Sequence, residues 1–295
     1  MTDEETSRRT FELLANETRL GIISALGEAS GEGGYATLAF SEIQEAVGVE
    51  DNGQFNYHLK QLLDEFVEQK QGGYGLTLAG IRAYQALIAQ QFNTETTVEA
   101  FAIDGSCETC GERRYAWYDD GRAHIGCREC GDLLYRYPVA PSTFDPATPE
   151  SLLQATNDRL TRDRVSMLKG LCPYCAGAVT NSLQPPDDYW EETNMLPDEV
   201  LVHSVCDRCA WFLYSTVGGM IEYLPVVSGF LADRGFDPWK RPLWEMGVSW
   251  ELEAYDLDAP TVWGRFEIAG DRLTVTVDGE LDVIEAVERA DDASE

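Results

Sequence analysis

Residues 41–88 read SEIQEAVGVEDNGQFNYHLKQLLDEFVEQKQGGYGLTLAGIRAYQALI, and their punctuation decides the fold of the N-terminal third of the chain. Ser41, with Gln44 three residues on, predicts a capping box that opens a helix through Ile43, Ala46 and Val47. Gly48 ends it. Asp51 with Gln54 repeats the capping signal, and Phe55, Leu59, Leu62, Leu63 and Phe66 give the next helix an apolar face. Gln71-Gly72-Gly73 then folds Val67–Lys70 back onto Tyr74–Leu78 as a hairpin. Ile81, Tyr84, Ile88 and Phe92 recur at helical spacing and predict a last helix over 79–92 with one apolar face.

Upstream, Phe11, Leu14, Leu20, Ile23 and Leu26 space two short helices, and Tyr35–Phe40 reads as a short strand. Helix, helix, strand, helix, tight turn, helix, hairpin, helix is the order of a winged helix-turn-helix, assigned to residues 1–95. In that arrangement Gln54, Asn56, Tyr57 and Lys60 face outward at the start of the second capped helix. Gln and Asn side chains can read adenine edges, and a Lys can reach a phosphate or guanine. Lys70 would lie on the wing, and His58 supports the helix packing.

The phrases LANETRLGIISAL, residues 14–26, and FNYHLKQL, residues 55–62, together with LTLAGIR at 76–82, resemble the ArsR-like winged-helix regulators of halophilic archaea. The resemblance covers about a quarter of the chain, residues 11–82, and implies a DNA-binding transcriptional regulator. The remainder is similar to a cysteine-rich extension found in some of those proteins. The Cys-x-Cys thiolate site that ArsR metal sensors carry before the recognition helix has no counterpart here, since Ser41–Val47 contain no cysteine.

All eight cysteines fall in C-x-x-C pairs. Cys107, Cys110, Cys127 and Cys130 have zinc-ribbon spacing, two knuckles joined by a hairpin that turns at Asp119-Asp120-Gly121. Cys172, Cys175, Cys206 and Cys209 offer the same four ligands across a longer insert. Four thiolates leave no open position, so each set predicts a structural Zn2+ site, with iron the less favoured ion. The two regions also share His124/His203, Leu134/Leu213 and Tyr135/Tyr214 at identical spacing, the mark of an internal duplication. Both histidines are read as packing residues of the ribbon strands, the alternative being an extra ligand or a hydrogen-bond donor to a thiolate.

The domain reading is therefore a winged helix-turn-helix at 1–95, zinc ribbon 1 at 96–140, a linker and helix at 141–170, and a second zinc-ribbon-like module with a helix and β meander at 171–295. The linker spans Pro138–Ala147. Thr148 and Pro149 start the helix, which Gly170 stops. From Val248 the period-2 alternation of Trp250, Leu252, Ala254, Val262, Phe266, Ile268, Leu273, Val275 and Val277 predicts an antiparallel meander, with Glu285–Glu295 a frayed acidic tail. The fold class is α+β.

Charge sets the environment. The 22 Lys+Arg (4 Lys, 18 Arg) against 52 Asp+Glu give a net charge of −30. Such self-repulsion is tolerable at about 1 M salt, where the Debye length is ~3 Å, and suits a halophile's cytoplasm. Residues 1–95 hold 6 basic and 15 acidic side chains, which would repel phosphates in dilute buffer but not in strong salt. Residues 151–175 are locally basic, with Arg159, Arg162 and Lys169 expected to complement a helix C-terminus, the alternative being contact with nucleic acid or an acidic neighbour. Residues 105–140 are nearly neutral, a candidate partner face.

The N-terminus has no basic start or apolar run of an export signal. The apolar stretch Trp211–Leu231, broken by Glu222 and Pro225, is read as a strand and buried helix rather than a membrane span. No nucleophile elbow, Walker loop or dinucleotide fingerprint is present, and the chain is not read as an enzyme. These features predict a DNA-binding regulator with structural zinc, acting on double-stranded DNA as a homodimer through helix 79–92. The alternative is a zinc-ribbon adaptor for protein contacts.

Overall fold

The computed structural model describes residues 3–29, 34–90, 93, 95–185, 200–242, 249–256 and 258–289. Phe92, Val248, the acidic pairs Asp187-Asp188 and Glu191-Glu192 and the chain beyond 289 lie outside them. The protein is mixed α and β with several antiparallel sheets, and it divides into two compact units, 1–93 with 140–142, and 94–139 with 143–295.

The first unit runs α1 (Asp3–Leu14), α2 (Glu17–Glu28), α3 (Phe40–Val47), α4 (Asn52–Leu62), β1 (Val67–Lys70), β2 (Gly73–Leu76) and α5 (Leu78–Ile88). Leu13, Ile22, Ile23, Leu26, Ile43, Phe55, Leu59, Leu62, Phe66 and Leu76 form its core. Phe11 is not part of it: that ring is 70% exposed, and Leu13 takes the inward place.

Three local expectations are corrected. The α3 cap is Ala39 rather than Ser41; Glu42 reaches back to accept from the Ala39 N–H at 2.6 Å, and Gln44 instead donates to the Val49 carbonyl at 2.9 Å. The strand expected at Tyr35–Phe40 is a single bridge, Leu38 to Tyr74, because Phe40 already belongs to α3. Gly73 permits that bridge, since a Cβ there would sit 2.0 Å from the Leu38 oxygen. Third, Ile81 and Tyr84 of the expected outward seam pack against their own core, while Ile88 remains 52% exposed.

The second unit opens with a four-stranded sheet in sequence order, β3 (Val98–Ser106), β4 (Arg113–Asp119), β5 (Arg122–Cys127) and β6 (Leu133–Pro138). Asp120 and Gly121 both have positive φ, 45° and 73°, the two-residue turn that matches strand twist. The stretch read as a linker is partly packed: Val139 and Phe144 are buried, and Tyr118 Oη donates to the Val139 carbonyl. Helix α6 (Glu150–Leu168) starts one residue later than expected, after Pro149, and Gly170 follows with φ 73°.

Then come a three-stranded sheet, β7 (Val179–Gln184), β8 (Leu201–Cys206) and β9 (Phe212–Thr216), and helices α7 (Val217–Ile221) and α8 (Pro225–Ala232). Among the described residues no helix is long and apolar enough to cross a membrane. The meander is β10 (Ser249–Asp256), β11 (Thr261–Ile268), β12 (Asp271–Asp278) and β13 (Val283–Arg289). Residues 285–289, expected to open a frayed tail, thus belong to a strand. Every β13 side chain is exposed, so no inward alternation marked it in the sequence. Leu160, Met167, Leu183, Val202, Leu213, Met220, Phe230, Val262, Phe266 and Val275 join α6–α8, β7–β9 and the meander in one core.

Candidate metal centres and nucleic-acid interface

Each cysteine set is assembled by the same backbone device. The first cysteine of every knuckle donates its N–H to the carbonyl five residues on: Cys107 to Glu112, Cys127 to Asp132, Cys172 to Gly177 and Cys206 to Trp211, at 2.7 to 2.9 Å. The residue after the second cysteine is left-handed in all four knuckles, Gly111 at φ 77°, Gly131 at 79°, Ala176 at 54° and Ala210 at 56°. Strands β4–β5 and β7–β8 then carry the second knuckle back to the first.

The sulfurs converge. Cys107 to Cys130 is 3.6 Å and Cys110 to Cys127 3.5 Å; in the second set Cys172 to Cys209 is 3.7 Å and Cys175 to Cys206 3.4 Å. Within each set all four sulfurs lie within 4.8 Å of one another. A tetrahedral ion with ~2.3 Å metal–sulfur bonds needs sulfurs ~3.8 Å apart. Disulfides at about 2.05 Å do not fit these separations. Both sets can hold a metal ion. Gly177 sits in the second set because a Cβ there would come 3.1 Å from Cys206 Sγ and 3.2 Å from Cys175 Sγ.

The thiols are electrostatically unequal. Backbone N–H groups of Cys130 and Glu129 draw Cys127 down to about 7, and those of Cys209 and Arg208 draw Cys206 down to about 6. Cys110 and Cys209 go up to about 12: the N–H groups of Glu112 and Trp211 favour their thiolates, but desolvation and the neighbouring thiols outweigh them. A divalent cation reverses that balance by giving every thiolate a counter-charge.

The histidines are not ligands. His124 stacks on Trp117, centroids 4.9 Å apart and planes 6° off parallel, with Nε2 2.8 Å from Asp119 Oδ1. His203 stacks on Tyr214 at 4.3 Å. Their partners differ because the sheets differ in register. In the second module His203 pairs with Tyr214 and Ser204 with Leu213. In the first, Ile125 pairs with Tyr135 and Gly126 with Leu133, so Leu134 is an inserted bulge residue that moves Tyr135 one place off His124. Leu213 is buried and Leu134 is 37% exposed.

On α4, Asp51 caps the helix by accepting from the Gln54 N–H at 2.7 Å, and Phe55, Leu59 and Leu62 are buried. Gln54, Tyr57 and Lys60 are exposed, whereas Asn56 is half-buried at the edge of that face. Gln61 is a further exposed member; its i+4 offset from Tyr57 and i+7 offset from Gln54 were the available signal. No carboxylate pairs with Lys60 among the described residues, but Lys70 is engaged by Glu68 at 3.0 Å. His58 is half-buried, its pKa lowered by burial and then by Arg19.

Arg159 and Arg162 of α6 take the alternative role, contact with an acidic neighbour, rather than serving the helix terminus. Arg159 and Arg162 both bond Asp163, a carboxylate wholly removed from solvent. An open cleft of about 310 Å³ between β3 and α6, lined by Phe101, Ile103, Asp104, Glu150, Leu153 and Asn157 among others, holds two carboxylates and no histidine or cysteine.

Two cysteine tetrads that can each hold a metal ion are the clearest sites of the chain. By residues 104–283, most of its length, the chain belongs to the family described as a domain of unknown function, DUF7351. Residues 7–87 match a second model, domain of unknown function DUF7347. No curated protein and no solved structure matches.

Proposed function

We propose that the chain is a sequence-specific, double-stranded-DNA-binding transcriptional regulator of the ArsR-like type, working in a high-salt cytoplasm. In this reading the first unit is a winged helix-turn-helix, α4 is its recognition helix and β1–β2 its wing. The carrying observation is the outward face of α4: Gln54, Tyr57, Lys60 and Gln61 stand clear of a helix whose opposite face is fully buried, directly after α3 and before a hairpin. Exposed Leu87 and Ile88 on α5 support pairing of two copies, which would place two such helices on successive major grooves.

Titration of the protein's own promoter duplex in molar KCl tests the reading. Asn56→Ala should cost ~1–3 kcal/mol at one base pair and relax preference there, and Lys60→Ala should weaken all sequences alike. Wild type that binds no duplex at any salt sinks it. Ile88→Asp should give monomers by sedimentation.

Zinc in both tetrads completes the reading, as closed structural sites within zinc-ribbon modules. Native mass spectrometry should count two zinc ions, and one after Cys127→Ser. Removal should cost folding free energy on the order of 10 kcal/mol per site. The adaptor alternative has one observation in its favour: Lys70, expected to reach DNA from the wing, is already paired with Glu68.

A further inference from the structure

We propose that the outward face of the β4–β6 sheet binds single-stranded nucleic acid, with Tyr115 and Trp117 offering rings to bases and Arg113, Arg128 and Arg136 holding phosphates. The surface stands on its own observations and does not rest on α4.

Alternation along β4 sends Arg114, Ala116 and Tyr118 inward and leaves Arg113, Tyr115 and Trp117 on the other face. Across the sheet, Trp117 pairs with His124 and His124 with Arg136, so the three form one row. The parallel stack of His124 on Trp117 fixes the indole, and the Arg128 guanidinium carbon lies 5.9 Å from the indole centroid. On the other side β3 is bulged, and small Ala100 and exposed Glu99 together oppose Trp117.

Charge complementarity supports the choice. In a chain with 52 acidic and 22 basic side chains, three exposed arginines are gathered around this one face. Arg114 has Glu108 and Arg122 has Asp120, while Asp119, at the end of β4, lies 2.8 Å from His124 Nε2. Arg113, Arg128 and Arg136 are exposed and, among the described residues, have no carboxylate within ion-pair distance.

An acidic peptide would use the guanidinium groups but gain nothing from the rings. A single strand uses both: guanidinium groups fork onto phosphate oxygens, and bases stack on aromatic planes whatever the sequence. A ring already locked by its neighbour loses little conformational freedom on binding. Strong salt weakens the phosphate contribution steeply and leaves stacking largely intact, so rings amid the arginines suit a protein of this charge.

The test is a titration of the full-length, zinc-loaded protein with labelled oligothymidylate and oligouridylate across a range of KCl. Binding of either strand is expected, and the preferred one identifies DNA or RNA as the source. Trp117→Ala should weaken it by about 10-fold or more. The triple change Arg113→Ser, Arg128→Ser, Arg136→Ser, confined to exposed side chains, keeps the question open to test should Trp117→Ala misfold. It should reduce the salt slope by about 2. No binding of either strand, an unchanged slope in the triple variant, or polyglutamate displacing the strand while a folded Trp117→Ala binds normally would each overturn the proposal. Promoter duplex titrated in parallel reports on α4 separately, and its outcome has no bearing on the sheet face.

Discussion

Tyr137 Oη donates to Asp163 Oδ2 at 2.8 Å, joining the last strand of the first cysteine module to the middle of α6. The same oxygen accepts from Arg159 Nε at 2.8 Å, and the Arg159 guanidinium lies 4.7 Å from the centroid of Tyr174, inside the first knuckle of the second module. Asp163 is therefore the tie between the modules. Replacing it with Asn should cost about 3 kcal/mol, since Arg159 then keeps its buried charge without a counter-ion. Tyr137→Phe should cost about 2 kcal/mol, the worth of a hydrogen bond to a charged acceptor. Chemical denaturation of both single variants and the double checks this. A double variant whose loss equals the sum would mean that the two groups act independently.

This tie also marks where the sequence stops being legible. Helix α4 could be read because each of its signals is local: Asp51 at the cap and Phe55, Leu59 and Leu62 at helical spacing. The thiolate tetrads could be read because each C-x-x-C is a local turn and two of them at ribbon spacing supply four ligands. Asp163 was hidden, because nothing within α6 says that its carboxylate meets Tyr137, 26 residues earlier in the chain. The α3 cap was misplaced because Ala39 has no capping side chain, and Glu42 satisfies the backbone from the next turn instead. The duplicated His, Leu and Tyr were visible, but one bulge residue, Leu134, gives them different neighbours in the two modules.

The four left-handed knuckle positions carry a prediction of opposite signs. Gly111 and Gly131 occupy two of them, and Ala176 and Ala210 hold the others at φ 54° and 56°. A Cβ in that conformation costs roughly 1–2 kcal/mol, partly offset by the greater freedom of glycine in the unfolded chain. Ala210→Gly should thus stabilise the protein by about 1 kcal/mol. Gly111→Ala should destabilise it by a similar amount, as nothing lies within 4 Å of the added carbon to hinder or help. Paired melts at fixed zinc and salt read both, and a destabilised Ala210→Gly would show that the alanine methyl packs usefully.

Acid should weaken the fold through its histidines. His203 has its pKa lowered by burial, and so has His124, where burial outweighs the pull of Asp119. A histidine with a depressed folded pKa binds its proton more readily unfolded, so stability is full above about 6.5 and falls as pH drops below it. His203→Phe keeps a ring for Tyr214 to stack on and removes the titration. The variant should lose less stability than wild type between neutral pH and about pH 5.5, measured at equal zinc saturation. Parallel pH curves for the two proteins would rule the contribution out.

Dilution from molar salt should open the protein first at its edge. The net charge of −30 is a repulsion that strong salt screens and weak salt does not. Strand β13 is the most vulnerable described element of the meander. None of its side chains is buried, it carries Glu285 and Glu288, and apart from its ladder to β12 it is held by Arg234, which bonds Glu288 at 2.6 Å and Asp271 at 2.8 Å. Its attachment thus depends on backbone hydrogen bonds, one side-chain pairing and the partial cover of Val283 and Val287, which is little apolar area to oppose repulsion among nearby carboxylates. Hydrogen exchange followed while KCl is lowered should show amides of 283–289 losing protection before those of β11 and β12, whose Val262, Phe266, Leu273, Val275 and Val277 are buried. Arg234→Gln should shift that loss to higher salt. Uniform protection across the meander down to dilute buffer would mean that charge does not limit this fold.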